Sequence, residues 1–201
     1  MEFPPPPPPP LRPFDLLCRR AGGRARAIAS LQAVSSQMGL PLERGLTGVV
    51  PDQVLAAVAL IGRGMSPDSV SASLTWREFE GFCAGLLGAY GYGVRTNIVL
   101  TKPRRQIDIF ADSETLALSV DCKHWGRPSS WSALELVASN QIERTALYKK
   151  RMSIGKPILP MVLTLVDTQQ RSALGVPIVP VAALRDFLAT VSRFDEGLAT
   201  V

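Results

Sequence analysis

Residues 106–125 read QIDIFADSETLALSVDCKHW: two short apolar runs joined by a polar turn, each carrying a carboxylate. Their length and turn signals predict adjoining strands at 104–111 and 115–123. Side chains alternate across a strand. On 115–123, Leu116, Leu118, Val120 and Cys122 share one face, and Ala117, Ser119, Asp121 and Lys123 the other. On 104–111, Ile107 and Ile109 face one side, and Gln106, Asp108 and Phe110 the opposite one. A hairpin turning near Ser113 sets Asp108 near Asp121, with Lys123 beside them. Carboxylates and a lysine on an apolar sheet are costly without partners, and such groups concentrate at functional sites.

Upstream, Thr75 and Glu78 have capping-box spacing, and Trp76, Phe79, Cys83, Leu86, Leu87 and Tyr90 recur at helical intervals. A helix is predicted over 75–92, closed by Gly91 and Gly93. Glu80 lies on its sheet-facing stripe, where a half-buried glutamate needs a partner. Downstream, the pattern predicts a strand at 94–101 before the hairpin, then a helix at 131–151, a strand at 157–166, and a short helical segment near 168–174. A strand at 176–180 and a helix at 181–193 follow. This order makes an α/β fold with a central mixed sheet flanked by helices.

Residues 13–73 read as an N-terminal helical extension. It comprises a short helix, a break at Gly22 and Gly23, a second helix, one opening at Pro51 with Val54, Leu55, Val58 and Ile61, and a short one from Ser66. Packing on the sheet domain is its default role; DNA contact and dimerisation are the alternatives. An unbroken proline run from Pro4 to Pro10 makes residues 1–12 a polyproline II tail. It is either solvated or a ligand for a proline-binding partner.

The chain has 201 residues, 46% of them hydrophobic, enough for one sizeable core plus an extension. Lysine and arginine outnumber acidic residues 22 to 17, a balance compatible with a nucleic-acid partner. The excess is shared along the chain, so any DNA contact is expected from local patches. Three dispersed cysteines suit a reducing, cytoplasmic setting and give no disulfide or zinc framework. One histidine, His124, argues against His-rich metal sites and Cys/His proteolysis. No apolar run predicts a membrane span, and the first residues lack a signal-peptide pattern.

Glu80, Asp108 and Asp121 supply the oxygen donors that Mg²⁺ prefers, with Mn²⁺ able to substitute. Such an ion activates a water for in-line attack on a phosphodiester and neutralises developing charge. Lys123 is placed to stabilise the pentacovalent transition state or position the water. Lys102, Arg104, Arg105 and Arg127 lie next to strand ends, where cations can track the phosphate backbone.

The segments FEGFCAGLLGAYGYGV, QIDIFA and LALSVDCKHW together resemble the Mrr-like branch of the PD-(D/E)xK restriction-endonuclease-like nucleases. The matching positions are Phe79-Glu80, Gly91-Tyr92, Ile107-Asp108, Asp121-Cys122-Lys123 and His124-Trp125, and VPIVPVAALRDFL resembles the closing strand and helix. The likeness covers about residues 75–192. It implies a restriction-endonuclease-like core over 74–195, metal binding by Glu80, Asp108 and Asp121, and catalysis by Lys123. Residue 107 is Ile where the general motif often has Pro, and Asp121 stands where many Mrr-like members carry Gln. Some relatives place a helical glutamine near the active site, which points to Gln141 on the inward stripe of 131–151 as a further catalytic candidate. The expected function is a cytoplasmic, Mg²⁺-dependent DNA endonuclease of restriction or repair type, possible as a homodimer. The rivals are an inactive nucleic-acid-binding scaffold on the same fold and an RNA nuclease.

Overall fold

The computed structural model describes residues 11–40, 44–45, 48–49, 52–125, 130–191 and 197–201. The proline run at Pro4 to Pro10, Pro51 and Arg127 lie outside the described residues.

Helix α1 (Pro13–Ala21) starts with proline in its first turn and stops at Gly22, whose φ of 75° is the left-handed C-cap conformation. Helix α2 (Arg24–Gln37) follows, then a two-residue antiparallel ladder of β1 (Arg44–Gly45) and β2 (Gly48–Val49). Asp52 caps α3 (Gln53–Gly62), its side chain accepting from the amides of Val54 and Leu55 at 2.8 and 2.9 Å. Helix α4 (Pro67–Ser71) leads to α5 (Trp76–Ala89), which opens on the predicted Thr75–Glu78 capping box. Strands β3 (Gly93–Thr101), β4 (Arg104–Asp112) and β5 (Ala117–Lys123) come next, then α6 (Trp131–Met152) and β6 (Ile158–Thr164). The chain continues through β7 (Ser172–Ala173), β8 (Val176–Pro180), a 3-10 turn (Val181–Ala183) and α7 (Leu184–Thr190).

The six-stranded sheet has the order β3-β4-β5-β6-β8-β7. Strands β3, β4 and β5 form an antiparallel meander, whereas β5–β6 and β6–β8 pair in parallel, so the sheet is mixed. Helix α6 is the crossover that the parallel β5–β6 pair requires.

The segment near 168–174 is not helical. Leu174 and Gly175 both have positive φ, 50° and 76°, which makes a tight turn of the hairpin type between β7 and β8. A Cβ at Gly175 would lie 2.8 Å from the Gly197 carbonyl oxygen, because residues 197–201 pass over this turn. Val201 exchanges two backbone hydrogen bonds of 2.9 Å with Ile158, so this last stretch docks on the edge of β6 beyond the expected boundary at 195.

The two faces of β5 carry different layers. Leu118, Val120 and Cys122 pack with Phe79, Cys83 and Leu87 of α5, in a core that continues into Leu17, Leu31 and Leu60 of the extension. Tyr90 reinforces that junction by donating its hydroxyl to the Met38 carbonyl at 2.5 Å. Ala117, Ser119 and Asp121 face α6.

Simple alternation fails on β4. Ile109 and Ala111 join the α5 layer, yet Ile107 and Phe110 both pack in the cluster containing Tyr148 of α6. The side-chain frame therefore slips by one residue around Asp108, and Ile107 and Ile109 do not share a face. Opposite this point, Asn97 of β3 has a φ of 53°. Local kinks of this kind re-aim side chains next to sites. Among the described residues, no helix is long and apolar enough to cross a membrane.

Candidate active site

Asp108 sits at the slip in β4. The β4–β5 register runs from Asp112↔Ala117 to Ile109↔Val120. The ladder ends there, one step short of Asp108, whose carboxyl feels the Asp121 charge. Asp108 Oδ2 accepts the Cys122 amide at 2.9 Å, which ties the carboxylate to β5. Burial raises its pKa; the Cys122 amide pulls it back, the Asp121 charge pushes it up again, and Lys123 and Arg144 oppose that.

Asp121 is only 1% exposed and faces α6. Lys123, two residues on and on the same face, places Nζ 2.8 Å from Oδ2. Arg144 of α6 places Nη1 3.2 Å from Oδ1. Arg144 also donates to the carbonyls of Asn140 and Gln106, at 3.2 and 3.1 Å. A buried aspartate thus carries two cations, and one of them links helix α6 to both hairpin strands.

Glu80 approaches from the other layer. It is 4% exposed, and its Oε1 is buried without a hydrogen-bond partner. Burial, aided by the nearby Asp108 charge, raises its pKa to about 7, with Arg77 opposing. Glu80, Asp108 and Asp121 form a chain through the sheet, with Asp108 in the middle. The expected convergence on one ion is not realised in this arrangement: among the described residues, no three His, Cys, Asp or Glu side chains are grouped tightly enough to enclose a metal. The physical reason is that Asp121 is turned toward α6 by Arg144 and Lys123, whereas Glu80 comes from α5. The donor chemistry nevertheless fits a hard divalent cation, since all three groups offer carboxylate oxygens, and Glu80 Oε1 and Asp121 Oδ2 are buried without a hydrogen bond, the latter facing only the Lys123 ammonium.

Gln141 does not open onto this site. It is fully buried and donates Nε2 to the Ser119 carbonyl at 2.6 Å and the Ser119 hydroxyl at 3.2 Å. It pins α6 against β5 two residues before Asp121. Arg144, one helical turn further along the same helix, is the polar residue of this site that the motifs do not single out. Its spacing of three from Gln141 is the signal that marks it in the sequence. Lys102, Arg104 and Arg105 lie around the exposed β3–β4 turn, with Arg105 paired to Glu143 at 2.7 Å and the Lys102 carbonyl accepting from Arg151.

Residues 71–146 match the family model Mrr_cat, described as a restriction endonuclease. That segment contains Glu80, Asp108, Asp121, Lys123, Gln141 and Arg144. An uncharacterized protein of Archaeoglobus fulgidus is 27% identical over 120 residues, which span 59% of this chain and 92% of the relative. A crystal structure of a protein of unknown function matches with a TM-score of 0.41 and 16% identity, over 58% of this chain and 71% of that one.

Proposed function

We propose, from a chain whose residues 71–146 match a restriction-endonuclease family model, that the protein is a metal-dependent DNA endonuclease that hydrolyses phosphodiester bonds. The observation that carries this reading is two buried, electrostatically interacting aspartates, Asp108 tied to β5 through the Cys122 amide and Asp121 with Lys123 2.8 Å away. Asp108 and Asp121, with Glu80, are the groups that would hold Mg²⁺ or Mn²⁺. When bound, such an ion activates water and neutralises phosphoryl charge.

The chain's own residues do the rest. Asp121 anchors Lys123, whose partly exposed ammonium supplies a fixed positive charge where a phosphoryl oxygen becomes more negative. Arg144 braces Asp121 against the hairpin, and Gln141 sets the distance between α6 and β5. The exposed Lys102 and Arg104 at the hairpin turn are suited to the phosphate backbone on either side of the cut. Restriction and repair of DNA both use this chemistry. Cutting both strands with one site per chain calls for a homodimer.

A second reading, a DNA-binding scaffold without cleavage, is favoured by one observation: both oxygens of Asp121 are already engaged by cations. Incubation with plasmid, branched DNA and RNA, in Mg²⁺, Mn²⁺ or chelator, separates the two. Cleavage of DNA that stops on chelation is expected, and Asp108→Asn or Lys123→Ala should lower it by about 10²–10³-fold or more while binding persists. Binding without cutting in either metal would favour the scaffold, and preference for RNA would replace DNA as substrate.

A further inference from the structure

Between the start of α5 and the middle of the β3–β4 hairpin lies a cavity of about 470 Å³ whose lining includes Trp76, Arg77, Glu80, Thr96, Asn97 and Gln106. This is within the ~300–1,000 Å³ range of small-molecule sites. We propose that it is a nucleotide subsite. It takes the base next to the phosphate under attack, stacks it on Trp76, and reads its edge with Asn97 and Gln106. The inference rests on the nuclease reading for the identity of the incoming strand.

Four features of the cavity point the same way. Trp76 is 37% exposed at the first turn of α5, although the helix has a buried layer available to it. An open indole face stacks any base. Gln106 donates Nε2 to Asn97 Oδ1 at 3.3 Å. That bond leaves the amide pair with a free acceptor and free donors, the groups that read base edges. Asn97 holds its place with a φ of 53° in the middle of a strand, a conformation that is rare there and clusters at ligand sites. Finally, Glu80 lines the cavity with its partnerless buried oxygen, and the Gln106 carbonyl receives Arg144, which in turn holds Asp121. A base seated here is therefore next to Glu80 at one end of the carboxylate chain, and Arg77, which also lines the cavity, supplies a cation for its phosphate.

The test measures DNA binding in chelator, so that no strand is cut, by anisotropy and by the fluorescence of 2-aminopurine placed at each position of a short duplex. Wild type should quench the probe at one position. Trp76→Ala should abolish that quenching and weaken binding by about 10–100-fold, the loss of one stacked base, with Trp76→Phe retaining most of it. Asn97→Gly is the variant that guards against misfolding, because glycine accepts the positive φ. It should fold normally and relax base preference at that position by about fivefold or more. Val99, 53% exposed and on the same hairpin but not lining the cavity, supplies the control Val99→Ala, expected to bind as wild type.

The proposal is overturned if Trp76→Ala binds within about twofold of wild type, or if Val99→Ala loses as much. Failure here is distinguishable from failure of the nuclease reading. Metal-dependent cutting with an inert Trp76 removes the subsite alone. Trp76-dependent binding without cutting under any metal removes the nuclease and leaves the subsite.

Discussion

At the scale of single residues, Glu80 is the most exacting position. Its carboxyl is lifted from an ordinary 4.5 to about 7 in the folded chain. Between those values the folded state holds more protons than the unfolded state, so stability falls as pH rises through that window. The buried Asp108, also raised, adds in the same direction. In chelator, the melting temperature should fall from pH 5 to pH 8, and Glu80→Gln should flatten the profile. A melting temperature that climbs over that interval would contradict the burial of Glu80 beside Asp108. Added Mg²⁺ should offset the fall at high pH, because an ion bound only by the folded state stabilises it.

At the scale of elements, α6 does more than cover the sheet. It reaches β5 through Gln141 and reaches Asp121 and the Gln106 carbonyl through Arg144. Arg144→Met removes charge-assisted contacts from a mostly buried group, at an expected cost of about 1.5–3 kcal/mol in denaturant melts. It also removes a cation that competes for Asp121. Calorimetric titration should therefore show tighter Mn²⁺ binding by the variant, while cleavage slows. Weaker Mn²⁺ binding would make Arg144 a support for the ion site and not a competitor. Helix α5 depends on its cap: Thr75→Ala should cost about 1 kcal/mol, since the Glu78 amide loses its partner at the helix start.

At the scale of the whole molecule, the extension and the α5 side of the sheet share one hydrophobic cluster, from Leu17, Leu31 and Leu60 to Phe79, Leu118 and Val120. Leu60 is fully buried, so Leu60→Ala should cost about 2–5 kcal/mol. All three tryptophans, Trp76, Trp125 and Trp131, lie outside the extension. If the cluster folds as one unit, the variant should shift the tryptophan-fluorescence and far-UV transitions equally. An unshifted fluorescence transition would make residues 13–73 a separate folding unit.

From α5 to β6 the sequence by itself determined the order of elements, and it marked the candidate chemistry. Local signals suffice for these: the capping box at Thr75 and Glu78, period-two and period-3.6 apolar patterns, and carboxylates inside apolar runs. The hairpin turn near Ser113 predicts that Asp108 approaches Asp121, because antiparallel register follows from where a chain reverses. The β7–β8 turn was hidden, since positive φ at Leu174 and Gly175 and the docking of residues 197–201 depend on contacts distant in sequence. Only the tertiary structure decided that the frame slips at Asp108 opposite Asn97, that Arg144 shares Asp121 with Lys123, and that Glu80 enters from the opposite layer. Each of these follows from which helix packs on which face of the sheet, a property of long-range burial that no local window of sequence carries.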